Sequence, residues 1–157
     1  GNDVTLEDIA RIADVFYIGG TKVGAMFGEA VVFTHGNMPK NFVTLVKQHG
    51  ALLAKGWLLG VQFDTLFTDD LYCRIARHAN DAADRIREVL VERGYTLTFD
   101  APTNQIFITL DNATSERLQR NVRLGFMEKA DDTHTVMRIC TSWATTDEQV
   151  EQLIALL

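Results

Sequence analysis

The sequence predicts an α/β chain: the last part of an α/β layer, then a long helix, then a small α+β module. Three observations point there. Two unbroken apolar runs, Val15 to Ile18 and Ala30 to Phe33, flank a glycine-rich connection, as strands covered on both faces do. An apolar repeat at helical spacing runs from Leu71 to Leu90, long enough for a rod rather than an ordinary surface helix. Beyond Gly94, short alternating segments and short helical ones take turns, as in a half-buried sheet backed by helices. The 157 residues, 46% hydrophobic and 23% charged, suffice for a packed core.

The elements follow in order. Thr5 is an N-cap, with Asp8 three residues on, and a helix from Leu6 to Ile12 is expected. The two strands come next, with Gly19, Gly20, Gly24 and Gly28 around Thr21 and Lys22. Gly36-Asn-Met-Pro39 is a turn by composition. Phe42, Leu45 and Val46, then Leu52 and Leu53, have helical spacing, but Gly50, Gly56 and Gly60 predict more than one helix or a kinked one. Thr68-Asp69-Asp70 reads as a helix start. Leu71, Ile75, Ala79, Ala82, Ile86, Val89 and Leu90 then mark one face up to the stop at Gly94. About 24 residues at 1.5 Å each give a rod of roughly 36 Å.

Tyr95 to Phe99 and Gln105 to Leu110 read as strands, and Thr114 to about Asn121 as a short helix. Val122 to Met127 and Thr133 to Cys140 are two more strands, joined by the polar turn Glu128-Lys-Ala-Asp-Asp132. Thr145 is expected to cap a last helix, with Glu148 completing a capping box. The two opening strands cannot make an independent core. The first segment therefore reads as the middle of a longer protein, or as half of a shared core.

Composition narrows the function. A net charge of −6 with no basic cluster argues against nucleic acid as a partner. No apolar run is long enough to span a bilayer, and no basic-then-apolar leader opens the chain. No membrane partner is therefore expected. Cys73 and Cys140 form no C-x-x-C pair and read as reduced thiols of a cytoplasmic protein. His35, His49, His78 and His134 have no ligand spacing, so no metal is expected. The glycines do not follow G-x-G-x-x-G, and no Ser/Thr has the histidine partner of a hydrolase triad.

Two side chains invite chemistry. A lysine at the interior end of a buried strand needs a partner or a covalent task. A desolvated lysine has a lowered pKa, and its neutral amine attacks carbonyl carbon; the bland alternative for Lys22 is a surface lysine after a strand. Arg138 lies within the apolar strand Val136-Met-Arg-Ile139. A buried guanidinium wants a carboxylate or other partner, and its planar fork suits the α-carboxylate of an amino acid; the alternative is outward alternation on a half-exposed strand. Glu29 reads as one half of a structural ion pair and Trp143 as packing.

The stretch Phe16-Tyr-Ile-Gly-Gly-Thr-Lys-Val-Gly-Ala-Met-Phe-Gly-Glu-Ala30 resembles the lysine motif of the threonine aldolase and β-eliminating lyase family. The resemblance continues through Ala54-Lys-Gly-Trp-Leu-Leu-Gly-Val-Gln-Phe63, Leu66-Phe-Thr-Asp-Asp-Leu-Tyr72 and Val136-Met-Arg-Ile-Cys-Thr-Ser-Trp143, so it covers nearly the whole chain. Val23 and Trp57 depart from the pattern, which has asparagine and arginine there.

The resemblance implies a pyridoxal 5′-phosphate (PLP) enzyme of fold type I. It implies that residues 1–69 are the carboxy-terminal part of the PLP-binding large domain, 70–94 a long linking helix and 95–157 a small α+β domain. Lys22 would then bind the cofactor and move a proton at the substrate α-carbon. Thr21 would hydrogen-bond the cofactor phosphate or merely cap a turn, and Arg138 would take the substrate carboxylate. The implied reaction cleaves the Cα–Cβ bond of a β-hydroxy-α-amino acid, giving glycine and an aldehyde. Elimination at the β-carbon would use the same residues, and a non-catalytic self-association module is the alternative from another class. Members are longer than this chain, so the chain alone is expected to be nearly inactive and to associate into a dimer or tetramer.

Overall fold

The structure is a computed structural model that describes residues 3–157. The chain divides into two compact units, one ending at Cys73 and the other running from Arg74 to Leu157.

The first unit opens with α1 (Leu6–Ile12). Its capping box forms as expected: Asp8 N–H donates to Thr5 Oγ1 at 3.1 Å, and Thr5 N–H donates to the Asp8 carboxylate at 3.0 Å. Strands β1 (Val15–Gly19) and β2 (Glu29–Phe33) pair antiparallel, with Tyr17 opposite Val31. The expectation of strands covered on both faces fails here. Burial alternates along β1, and Val15, Tyr17 and Val31 are exposed. Among the described residues these two strands form a sheet by themselves, and only one face of it is partly buried. Helices α2 (Phe42–Gln48) and α3 (Trp57–Phe67) follow. They are separate because Gly50 takes a left-handed turn (φ +70°) after α2.

Thr68–Asp70 is a 3₁₀ turn rather than a capped helix start. Asp69 and Asp70 sit at φ +50° and +57°, a conformation that aspartate tolerates better than most residues. Helix α4 begins directly after it and spans Leu71–Glu92. It closes with a Schellman motif: Tyr95 N–H donates to Leu90 O, Gly94 N–H donates to Val91 O, and Gly94 sits at φ +79°.

The second unit holds a four-stranded antiparallel sheet of order β3-β4-β6-β5. Its strands are β3 (Thr96–Leu97), β4 (Gln105–Asp111), β5 (Gly125–Lys129) and β6 (His134–Cys140). β3 is shorter than the alternation from Tyr95 to Phe99 predicts. Helix α5 (Asn112–Gln119) starts two residues early because Asp111 caps it, accepting from Thr114 N–H at 2.9 Å. Helix α6 (Asp147–Leu156) is capped by Thr146 with Gln149, one residue beyond the expected Thr145 and Glu148. The Thr145 hydroxyl is occupied elsewhere, accepting from Ser142 N–H at 2.9 Å.

One sheet face makes the core. Ile106, Ile108 and Leu110 of β4 and Met137 and Ile139 of β6 pack with Ala83, Ile86 and Leu90 of α4, Leu118 of α5 and Val150 of α6. Buried Thr141 ties helix to sheet, its hydroxyl donating to Ala79 O at 2.6 Å. Because side chains alternate along a strand, Gln105, Phe107, Arg138 and Cys140 belong to the opposite face.

Candidate active site

Lys22 lies in the connection between β1 and β2, within a 3₁₀ turn at Thr21–Val23. Lys22 and Thr21 are both exposed, so the lysine is not the desolvated strand-end residue that the sequence suggests. What the structure does fix is the backbone around it. Val23 and Ala25 are buried on either side, and Val23 and Ala25 N–H both donate to Gly20 O. Gly24 takes the left-handed turn (φ +99°) that lets the chain reverse.

Side chains from elsewhere in the unit brace this loop. The Tyr72 hydroxyl donates to Gly19 O at 2.7 Å, and burial pushes its pKa up, which keeps the phenol a donor. Gln62 of α3 accepts from Met26 N–H at 2.7 Å and donates to Phe27 O at 3.4 Å. Gly20 allows the close approach: a Cβ there would stand 2.5 Å from Ala25 Cβ and 3.0 Å from the Phe63 ring. The turn that carries Lys22 is thus held at three points while the amine is left accessible. Gln62 and Tyr72 are contributors that the sequence did not single out. Both lie in stretches that carry the family resemblance, but they sit 40 and more residues from the turn, and no local spacing ties them to it.

In the second unit, Arg138 is partly buried on the sheet face away from the core. Its side-chain partner is an amide: Nη1 donates to Gln105 Oε1 at 3.1 Å. Gly125 stands opposite it on β5 and Phe107 opposite it on β4. Glu29 is exposed at the start of β2, and Trp143 is exposed rather than packed. Among the described residues, no group of His, Cys, Asp and Glu is placed to hold a metal ion, and no helix is long and apolar enough to cross a membrane.

A groove of about 610 Å³ lies elsewhere in the second unit, lined by Tyr95, Thr96, Thr109, Asp111, Asp131 and His134 among others. Several of its polar groups are already engaged. The Tyr95 hydroxyl donates to Leu157 O, Asp111 caps α5, and Asp131 receives Thr133 and His134 N–H.

No family model matches the chain. The low specificity L-threonine aldolase of Pseudomonas aeruginosa is 30% identical over 141 residues, covering 89% of this chain and 40% of that protein. Leishmania major threonine aldolase superposes with a TM-score of 0.93 at 40% identity, over 99% of this chain and 45% of that one. A serine palmitoyltransferase of Sphingomonas wittichii, 19% identical with a TM-score of 0.61, shares the fold over 91% of this chain and 38% of its own. The chain spans about two fifths of the length of the curated relatives it matches. The resemblance to threonine aldolases read from the sequence is thus borne out by both sequence and fold.

Proposed function

We propose that this chain is the carboxy-terminal portion of a PLP-dependent lyase of the threonine aldolase family. The observation that carries the reading is the 0.93 superposition on a threonine aldolase over 99% of the chain, at 40% identity. In this reading residues 1–69 complete a cofactor-binding large domain, residues 70–94 form a linking helix, and residues 95–157 form the small domain. The enzyme is cytoplasmic, works as a homo-oligomer and acts on a small amino acid. Its reaction cleaves the Cα–Cβ bond of a β-hydroxy-α-amino acid.

The residues present suit the cofactor. A primary amine is the side chain that bonds an aldehyde carbon, and Lys22 offers one on a turn whose backbone is pinned. The neighbouring Thr21 is exposed, and its hydroxyl can donate to a phosphate oxygen. When bound, PLP supplies the electron sink for the bond that breaks. Lys22 Nζ holds the cofactor and then takes or returns a proton at the substrate α-carbon. Arg138 presents a planar fork to the α-carboxylate, and in holding it fixes which bond at the α-carbon lies in position to break. By itself the chain is expected to turn over little, since one lysine and one hydroxyl hold the cofactor at few points.

The test uses the full-length enzyme. Threonine should yield glycine and acetaldehyde, while serine or tryptophan should not yield pyruvate and ammonia. Release of pyruvate without acetaldehyde would replace aldol cleavage by β-elimination. Lys22→Ala should abolish both the visible absorbance of bound cofactor and turnover. Persistence of both in that variant would refute the assignment of Lys22.

A further inference from the structure

The partner of Arg138 is unusual in kind. An arginine within a half-buried strand is ordinarily matched by a carboxylate, which neutralises it. Here the side chain that receives Nη1 is Gln105, at 3.1 Å, and none of the ion pairs among the described residues involves Arg138. The amide orientation is settled by chemistry, because a guanidinium only donates and so must face the amide oxygen. Gln105 and Arg138 share the sheet face away from the core, on adjacent strands β4 and β6. On the other flank of Arg138 stands Gly125, where a Cβ would lie 3.5 Å from Nε. That residue has no side chain to cover the remaining edge of the fork.

We propose that Gln105 is a positioning residue for Arg138: a neutral acceptor that orients the guanidinium without neutralising it, so that the charge is kept for an incoming carboxylate. The inference rests on the reading of Arg138 as the carboxylate-binding group. A glutamate at 105 would keep the geometry and the length but supply a carboxylate of its own. The fork would then be filled from within, and an amino-acid carboxylate would have to displace it. Methionine at 105 would keep the shape and lose the acceptor, freeing the fork to rotate without neutralising it.

The experiment compares Gln105→Glu, Gln105→Met and Arg138→Ala in the full-length enzyme. KM and kcat for threonine are measured, together with the binding of glycine and of ethanolamine, an amine without the carboxylate. Gln105→Glu should raise KM for threonine and weaken glycine about 10- to 100-fold, the scale of one charge-assisted pair. It should leave ethanolamine binding within about 3-fold, since an amine without a carboxylate does not use the fork. Gln105→Met should raise KM by a smaller factor, about 3- to 10-fold. A second readout needs no cofactor: the Arg138 Nε–Hε resonance of this chain should move on titration with acetate, and should fail to move in Gln105→Glu. Loss of glycine and ethanolamine binding together would mark a merely structural role and overturn the proposal. Wild-type glycine binding in Gln105→Glu, with weakened binding in Arg138→Ala, would overturn the role of Gln105 alone. Unchanged glycine binding in Arg138→Ala would remove the reading of Arg138 and this inference with it.

Discussion

Asp131 shows how much a single exposed carboxylate can organise. Its Oδ1 receives Thr133 N–H at 2.6 Å, the Thr133 hydroxyl at 2.7 Å and His134 N–H at 2.8 Å. These hydrogen bonds, those from Thr133 foremost, hold its pKa down to about 2, below the ordinary 3.8. The sign follows from the direction. A depressed carboxyl contributes its hold on the β5–β6 turn fully above the ordinary value, and the contribution is lost as pH falls through about 2. Between pH 4 and 2 the amides of Thr133 and His134 should lose protection from exchange, and the Asp131 carboxyl carbon should titrate near 2 by NMR. A midpoint at the ordinary value, or no change at those two amides, would show that the turn does not depend on this charge. Around Lys22 the decisive residues act by geometry instead. Gly20 admits Ala25 and Phe63 to distances that any Cβ would violate, and so lets the loop lie tightly against α3.

At the scale of elements, what was legible in the sequence was local. The capping box of α1 and the Gly94 stop of α4 are patterns of a few adjacent residues, and both formed where the pattern lies. Helix α6 shows the limit. Thr145 with Glu148 and Thr146 with Gln149 satisfy the same spacing one residue apart. The choice was made by Ser142, whose amide takes the Thr145 hydroxyl and leaves Thr146 to cap. The braces of the Lys22 turn and the partner of Arg138 were not legible for the same reason. Tyr72, Gln62 and Gln105 meet their partners across 33 to 53 residues of sequence, and no local period encodes such a meeting. The consequence for α6 is measurable. Thr146→Ala should cost about 1 kcal/mol of stability, the usual worth of an N-cap. Arg85, which pairs with Asp147 and Glu151 on the exposed side of the same helix, should matter less, because ion pairs in water contribute about 0–1 kcal/mol. Urea denaturation of the two variants, read as midpoint shifts at constant slope, distinguishes them. A larger loss in Arg85→Ala than in Thr146→Ala would reverse the ranking.

At the scale of the molecule the two units differ in kind. The second encloses a continuous core, with Ile108, Ala83 and Leu90 wholly removed from solvent. In the first, only a few side chains such as Val23, Phe63 and Leu66 are buried, while Ile12 (87%), Met26 (83%) and Tyr17 (70%) stand exposed. The sequence anticipated this imbalance through its two lone strands, since a hairpin without sheet neighbours is marginal in water. The outward face of that hairpin is apolar: Tyr17 faces Val31 in register, with Val15 on the same side. Among the described residues of the unit no strand lies beside its backbone edges, and bare edges next to apolar faces are where chains pair. The chain should therefore self-associate in a concentration-dependent way, and the hairpin should be the contact. Replacing Tyr17 and Val31 together by lysine puts two like charges on that face and should shift the chain towards monomer in sedimentation velocity. The second unit's core would remain intact, as judged by unchanged amide protection along β4 and β6. A wild-type chain that stays monomeric up to its solubility limit, or an association that the double substitution leaves untouched, would show that the hairpin face is not where these molecules meet.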